Sequence, residues 1–322
     1  MLKEGSVKDI YYYYNIFGLS VASEIILPEA PELSEIFETD VNIFCGRIDF
    51  DLLSHPETQN PGGVWHYCIP EKKRLYFRCE GISFAVTDGR SIVVDTSESK
   101  STAAKLNVFL LGTAMGGIHM QRGNIPIHGA AIEGECGVTI ITGFSGAGKS
   151  AVLGALTQDG YRYLADDVSV VSLASGQPLI MPAYPQRKIA VEDARALGYD
   201  TVALDVLNED GRDKFVIRRT EEWCQKPLPL KKLVELIPVS REDGGEVLPE
   251  IRPVAGHAAL GLVMRNLYRS YIHTKMGIEP TQMKKILEIT SGIQTIQMLR
   301  PFKGFPVAET ARMIAGSSLH IE

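Results

Sequence analysis

Gly143-Phe144-Ser145-Gly146-Ala147-Gly148-Lys149-Ser150 fits the pattern G-x-x-x-x-G-K-[ST] at every position, and its flanks decide how it is read. The run before it, Gly137-Val138-Thr139-Ile140-Ile141-Thr142, is short, β-branched and apolar, as a buried strand should be. The run after it, Ala151-Val152-Leu153-Gly154-Ala155-Leu156, reads as an amphipathic helix. Strand, glycine loop and helix in that order make a phosphate-binding loop, because consecutive N–H groups and the helix N-terminus then point at phosphate oxygens. Gly143, Ser145, Gly146, Ala147, Gly148, Lys149, Ser150 and Ala151 are the expected contacts of a nucleotide. Lys149 would reach the β- and γ-phosphates, and the Ser150 hydroxyl would ligate a bridging Mg²⁺.

With 322 residues, of which 45% are hydrophobic, the chain can bury one large core or two smaller ones, and its length suits two domains. Its 33 basic and 39 acidic residues give a net charge of −6 with no long run of either sign, so neither nucleic acid nor a membrane surface is an expected partner. The longest apolar stretch, Val108 to Ile118, is far too short to span a bilayer. Met1-Leu2-Lys3-Glu4-Gly5 leads into tyrosines rather than an apolar signal core, so the expected location is the cytoplasm. Five widely spaced cysteines with no C-x-x-C pair read as reduced, mostly buried thiols.

Residues 1–100 read as a β-rich lobe. Its expected strands are Ile10 to Phe17, Val41 to Phe44, Trp65 to Ile69, Arg74 to Cys79 and Ser91 to Val94, separated by turn-forming residues. A polar stretch at Ser97 to Thr102 marks the boundary, and residues 101–322 form an α/β nucleotide-binding domain that opens with a helix from Ala103 to Met120. Strands are expected at Pro126 to Glu133, Val138 to Thr142, Tyr161 to Ala165, Val168 to Leu173, Lys214 to Arg218 and Pro227 to Pro238. A short helix is expected from Val191 to Leu197, an acidic turn-rich segment from Leu204 to Arg212, and a charged loop from Ser240 to Gly245. Helices at Ala258 to Lys275, Pro280 to Ser291 and Val307 to Ala315 close the chain.

Asp166 and Asp167 end the strand that follows the loop's helix, 17 residues after Lys149, where carboxylates face the phosphates and their metal. Asp166 is the expected base for the attacking hydroxyl, and Asp167 the partner on the metal side. His128, in Ile125-Pro126-Ile127-His128-Gly129-Ala130, lies beside the loop if its strand forms a hairpin with the loop-preceding strand around Glu133 to Gly137. An imidazole there could bond a phosphate oxygen or tune the catalytic aspartate.

Gln121-Arg122-Gly123, His128-Gly129-Ala130-Ala131, the loop Gly143 to Ser150, and Leu164-Ala165-Asp166-Asp167-Val168 together resemble the catalytic domain of the HPr kinase/phosphorylase family. The resemblance covers about residues 120 to 175. It implies a P-loop serine kinase of α/β fold akin to phosphoenolpyruvate carboxykinase, with Asp166 at the place of the family's base and His128 beside the phosphates. ATP, with GTP as the alternative, and Mg²⁺ are the implied cofactors. The downstream Glu-Ile-Arg-Gly-type signature of the bifunctional enzymes has no counterpart; the corresponding region is Ala183 to Ile189. The N-terminal lobe, with Phe17-Gly18-Leu19, Ser23-Glu24 and Leu27-Pro28-Glu29, instead resembles the smaller kinases encoded beside ribosomal-peptide clusters, including the lasso-peptide precursor kinases. That branch implies a precursor peptide ending in serine as partner. The hexamers of the bifunctional relatives raise a homo-oligomer as a further expectation.

Basic groups are needed to hold the charge that moves in transfer and to recognise an anionic substrate end. The candidates are Arg187 and Lys188, then Lys214 with Arg218 and Arg219, and finally Arg265 and Arg269, which are expected to share a helix face with Tyr268 near. The expected activity is transfer of the γ-phosphoryl group to a serine hydroxyl. HPr or free serine as acceptor, and a nucleotide-binding regulatory module without an acceptor, are the alternatives. A carboxykinase is excluded by length and by the missing machinery for a carboxylate substrate.

Overall fold

The computed structural model describes residues 12–34, 38–49, 58–59, 65–69, 73–209, 211–240, 247–276, 278–302 and 307–316. Ile10 and Tyr11 of the first expected strand, and residues 241–245 of the expected charged loop, lie outside the described residues. The chain is mixed α/β and divides into two units, Met1–Arg122 and Gly123–Glu322. The division falls beyond the boundary expected near residue 100, because the helical segment after it belongs to the first unit's core.

The first unit is one sheet of eight strands: β1 (Tyr12–Ile16), β2 (Leu19–Ser23), β3 (Val41–Cys45), β4 (Thr58–Gln59), β5 (Trp65–Ile69), β6 (Arg74–Cys79), β7 (Ile82–Thr87) and β8 (Ser91–Asp95). Their order across the sheet is β1-β2-β3-β8-β7-β6-β5-β4. Strand β6 alternates strictly, burying Leu75, Phe77 and Cys79 while the residues between them are half-exposed, which is the pattern of a sheet with one face in a core. Phe77 stacks on Phe84 of the adjacent β7 at 4.5 Å between ring centres. The hairpins turn on Phe17-Gly18, Glu80-Gly81 and Asp88-Gly89, in which both residues have positive φ, the geometry whose twist matches paired strands. Helices α1 (Ala103–Phe109) and α2 (Met115–Gln121), joined by a π turn at Leu110–Ala114, complete the unit and bury Leu110, Leu111, Met115 and Ile118.

The second unit is built on two long strands, β9 (Ile125–Gly134) and β17 (Leu228–Val239), each shared between two sheet surfaces. Between them in sequence run β10 (Gly137–Thr142), α3 (Lys149–Gln158), β11 (Tyr163–Ala165), β12 (Val168–Ser172), β13 (Leu179–Met181), β14 (Gln186–Ala190), α4 (Val191–Ala196), β15 (Asp205–Glu209) and β16 (Arg212–Arg218). After them come β18 (Glu250–Val254), α5 (Gly256–Arg265), α6 (Ser270–Met276), α7 (Pro280–Gly292), β19 (Gln294–Pro301) and α8 (Val307–Gly316). One half of β9 pairs with β12, which continues through β13 to the start of β17. The other half pairs antiparallel with both β10 and β11, and β10 lies parallel to β17, which lies parallel to β19. β10 and β11 therefore run the same way with β9 between them, and the ends of β10, β11, β17 and β19 come out together. Outside the carboxyl ends of such strands is where ligands of open α/β sheets bind. A separate sheet, β14-β16-β15, carries basic residues.

Two expectations change here. Leu204 to Arg212, expected as a turn-rich segment, contains β15 and enters β16. The single helix expected from Ala258 to Lys275 breaks after Arg265, because Asn266 to Arg269 crosses to β9: Asn266 O accepts from His128 N at 2.8 Å, Tyr268 N donates to Pro126 O at 2.9 Å, and Arg269 takes φ of 49°. Of the four described free cysteines, Cys79 and Cys224 are buried and Cys45 and Cys136 exposed, so burial holds for half of them. Among the described residues no helix is long and apolar enough to cross a membrane.

Each unit buries a neutral histidine. Burial pushes the His119 imidazole down to about 3, with Arg122 adding to the effect, and pushes the His273 imidazole down to about 4. An unfolded histidine titrates near 6.5. The unfolded chain therefore binds more protons than the folded one between those values, and stability is present above pH 6.5 and lost as pH falls through that window. Near pH 5 each histidine costs about 2 kcal/mol. The expected result is a melting temperature that drops steeply from pH 6.5 to 4.5, and His273→Leu should flatten the part contributed by the second unit; calorimetric scans across that range test it.

Candidate active site

The loop between β10 and α3 takes the shape its glycines allow. Gly143 has φ of 140° and Gly148 has φ of 97°, and a Cβ at Gly143 would lie 2.7 Å from Leu236 O, so no other residue fits there. Ala147 N closes the loop onto Phe144 O at 3.0 Å. Lys149 folds back over it, donating to Gly143 O at 2.9 Å and Phe144 O at 3.2 Å. Burial pushes its ammonium below the ordinary value, opposed by Asp167 and Asp166. Lys149 is thus a cation held in a desolvated place where a phosphate would replace its carbonyl partners.

One cavity of about 1210 Å³ opens over the loop, lined among others by Gly143 to Gly146, Gly148 to Ala151, His128, Asp167, Lys214, Arg265 and Arg269. The expected hairpin of β9 and β10 places His128 on it: Gly134 pairs with Gly137 and Gly129 with Thr142. The imidazole Nδ1 lies 3.4 Å from Asp167 Oδ1. Burial pushes His128 below its ordinary value, with Asp167 opposing, so the ring is neutral at neutral pH.

The two aspartates separate. Asp166 is buried, lines no part of the cavity, and its Oδ2 accepts from Lys188 N at 2.8 Å. Asp167 takes φ of 71°, a left-handed conformation that Asp tolerates, and this turn between β11 and β12 aims its carboxylate into the cavity. The geometry separates the pair: Asp166 is tied to a backbone N–H and lines no part of the cavity, and Asp167 faces the loop. Burial alone would raise both. In Asp166 it prevails, and the carboxyl lies above its usual range. In Asp167 the positive charges of Lys188, Lys214 and Arg269 outweigh it and hold the carboxyl well below.

The basic candidates also divide. Arg187 is buried, lines no part of the cavity, and gives its guanidinium to Glu222 Oε2 at 2.8 Å and Tyr199 OH at 2.9 Å. Lys188 does not line the cavity, although its charge is felt by both aspartates. Lys214 lines it. Arg265 lines it too, but as the partner of Glu235, whose Oε1 accepts from Arg265 Nε at 2.7 Å. Arg269 reaches it from the break after α5, with its guanidinium over the Tyr268 ring at 5.5 Å, so it does not share a helix face with Arg265.

Residues that the sequence reading passed over join them. Glu235 sits opposite Thr142 on the neighbouring strand and binds Asn266 Nδ2 at 3.0 Å and Gln297 Nε2 at 2.9 Å. Thr142 Oγ1 lies 2.6 Å from His128 O and 2.9 Å from Asn266 Oδ1. One polar row, His128–Thr142–Glu235–Gln297, therefore crosses the strand ends under the loop. A lone carboxylate within Leu233-Val234-Glu235-Leu236-Ile237 was the available sign. Arg212, Glu192, Asp193 and Arg300 also line the cavity.

No group of three or more His, Cys, Asp or Glu able to hold a metal exists among the described residues. Mg²⁺ does not require one: it takes one or two carboxylates, a hydroxyl, water and phosphate oxygens. Asp167 and Ser150, both on this cavity, supply such oxygens, so the residues fit the ion.

No family model and no curated protein matches the chain in sequence. Among solved structures, the HPr(Ser) kinase/phosphatase from Coxiella burnetii aligns over 59% of this chain and 86% of its own, at 14% identity and a TM-score of 0.29. A likeness at that level decides nothing about this chain, and the functional reading comes from the site.

Proposed function

We propose that this protein is a Mg²⁺-dependent kinase that transfers the γ-phosphoryl group of ATP to a serine hydroxyl of a peptide, the C-terminal serine of a lasso-type precursor, in the cytoplasm. The observation that carries the reading is the placement of Asp167 and His128 across one cavity from Lys149 and Ser150. In the step, the serine oxygen bonds to the γ-phosphorus, the bond to the β–γ bridging oxygen breaks, ADP leaves, and the hydroxyl proton passes to Asp167. Asp167, ionised and half-exposed, accepts that proton in place of Asp166, and neutral His128 orients its carboxylate. Lys149 and the loop amides bind the phosphates, and Ser150 with Asp167 would hold Mg²⁺, which when bound neutralises phosphate oxygens. Phosphoryl transfer needs chiefly positioning and charge stabilisation, and these groups supply both.

A peptide acceptor is supported by size and charge. The cavity exceeds the volume of about 300–1,000 Å³ that a single drug-sized ligand occupies. Lys214 and Arg269 beside Asp167 would suit the carboxylate of a terminal serine.

Intact-mass spectrometry of serine-ending peptides incubated with the protein, ATP and Mg²⁺ tests the reading. One added phosphoryl mass is expected with the unmodified protein and a loss of about a hundredfold or more with Lys149→Ala. Transfer only to HPr or to free serine would change the acceptor. Nucleotide binding without transfer to any of these would leave a regulatory module.

A further inference from the structure

We infer that the end of the cavity bounded by β17 and β19 is the nucleoside subsite, with Phe302 stacking on the base and Arg300 holding the phosphates that lead to it. This rests on the kinase reading above and adds the direction in which the nucleotide lies.

The direction follows from the sheet. The loop leaves β10, which has β9 on one side and β17 followed by β19 on the other. His128 on β9, and Asp167 just after β11, stand on the first side. In an in-line displacement the attacking and leaving oxygens lie on opposite sides of the γ-phosphorus. An acceptor serine at Asp167 therefore sends the leaving diphosphate, and the nucleoside beyond it, toward β17 and β19.

The residues at that end suit a nucleotide. Arg300, near the end of β19, donates from Nη2 to Ala147 O of the loop at 2.8 Å and from Nη1 to Pro301 O at 3.1 Å. Its Nε is buried without a hydrogen-bond partner, and among the described residues no carboxylate pairs with it, Asp193 acting only at longer range. A half-buried guanidinium that touches the phosphate loop and lacks an ion-pair partner calls for an anion. Two residues further on, Phe302 lines the same cavity with 55% of its surface exposed. Its backbone N–H is anchored to Val239 O at 2.8 Å, so the ring is carried on a fixed strand end. Flat apolar rings bind nucleobases by stacking, with little regard to which base is presented. Phe144, also exposed, belongs to the loop itself.

Calorimetric titration with Mg²⁺-ATP and with Mg²⁺-tripolyphosphate separates base from phosphates. The unmodified protein is expected to bind ATP more tightly than tripolyphosphate. Phe302→Ala should weaken ATP about tenfold and leave tripolyphosphate unchanged, while Phe302→Tyr keeps the affinity for ATP. Arg300→Ala should weaken both ligands. Equal binding of ATP and tripolyphosphate by the unmodified protein overturns the subsite, as does a Phe302→Ala protein that binds ATP normally. Those results leave the kinase reading standing. If the unmodified protein binds neither ligand, the kinase reading falls and takes the subsite with it.

Discussion

Asp167→Asn is expected to lower phosphoryl transfer by about 10²–10⁴-fold, the usual worth of a positioned base, while ATP affinity changes only a few-fold. Asp166→Asn is expected to stay within about tenfold of the unmodified protein. The contrast follows from where the two carboxylates point. Asp167 opens onto the cavity beside His128 and among positive charges, and asparagine there removes the proton acceptor and the charge together. Asp166 is buried, uses Oδ2 to accept from Lys188 N, and lies above its usual range because burial penalises its charge. Asparagine keeps that acceptor and removes the penalised charge. The pH profile adds a second check. Both His128 and Asp167 are shifted down, so the neutral imidazole and the ionised carboxylate coexist from neutral pH to below the ordinary histidine value near 6.5. The acid limb of kcat/KM is therefore expected below pH 6.5. Single-turnover transfer measured with both variants decides the assignment, and equal losses at the two positions would return the base to Asp166.

The loop and its flanks were readable because their signal is local. Gly143 to Ser150 needs left-handed glycines and a strand–helix junction, and each is written in adjacent residues. The hairpin that brings His128 to the loop was readable for the same reason, since its strands are neighbours in sequence. What sequence left open was orientation. Asp166 and Asp167 are equal as letters, and only the positive φ at Asp167 tells which one turns to the cavity. In the first unit β2 and β7 escaped because Phe17-Gly18 and Glu80-Gly81 reverse the chain within two residues, leaving no polar stretch to mark a new strand. β19 and Glu235 escaped because their partners are distant: β19 pairs with a strand more than fifty residues earlier, and Glu235 meets Arg265 and Gln297 only in the fold. Arg265 and Arg269 kept helical spacing in the sequence, but Asn266 traded helix continuation for bonds to Glu235 and Leu262 O, a choice that tertiary contacts impose.

Glu222→Ala is expected to destabilise the second unit by about 3–5 kcal/mol, and the cause lies in an arginine that its sequence marked as a phosphate ligand. Arg187 has 2% of its surface exposed and lies on β14, and its side-chain hydrogen bonds are spent on structure. Its Nε and Nη2 reach Glu222 Oε2 at 3.1 and 2.8 Å, and Nη2 also reaches Tyr199 OH, which in turn donates to Gly154 O of α3 at 2.8 Å. Among the described residues its Nη1 has no partner and no carboxylate other than Glu222 pairs with it, so its charge stands uncompensated if the glutamate goes. Removing Glu222 leaves a desolvated cation, and a melting temperature lower by about 6–20 °C is expected. Removing both charges tells a different story. The pair Arg187→Met with Glu222→Leu fills the space with apolar groups and should recover most of the loss, because two desolvated ions gain little over a hydrophobic replacement. The same double variant should bind tripolyphosphate as the unmodified protein does. A phosphate affinity that fell with Arg187 while stability was restored would put Arg187 back among the ligands; an unchanged affinity confines it to joining β14, Glu222 and α3.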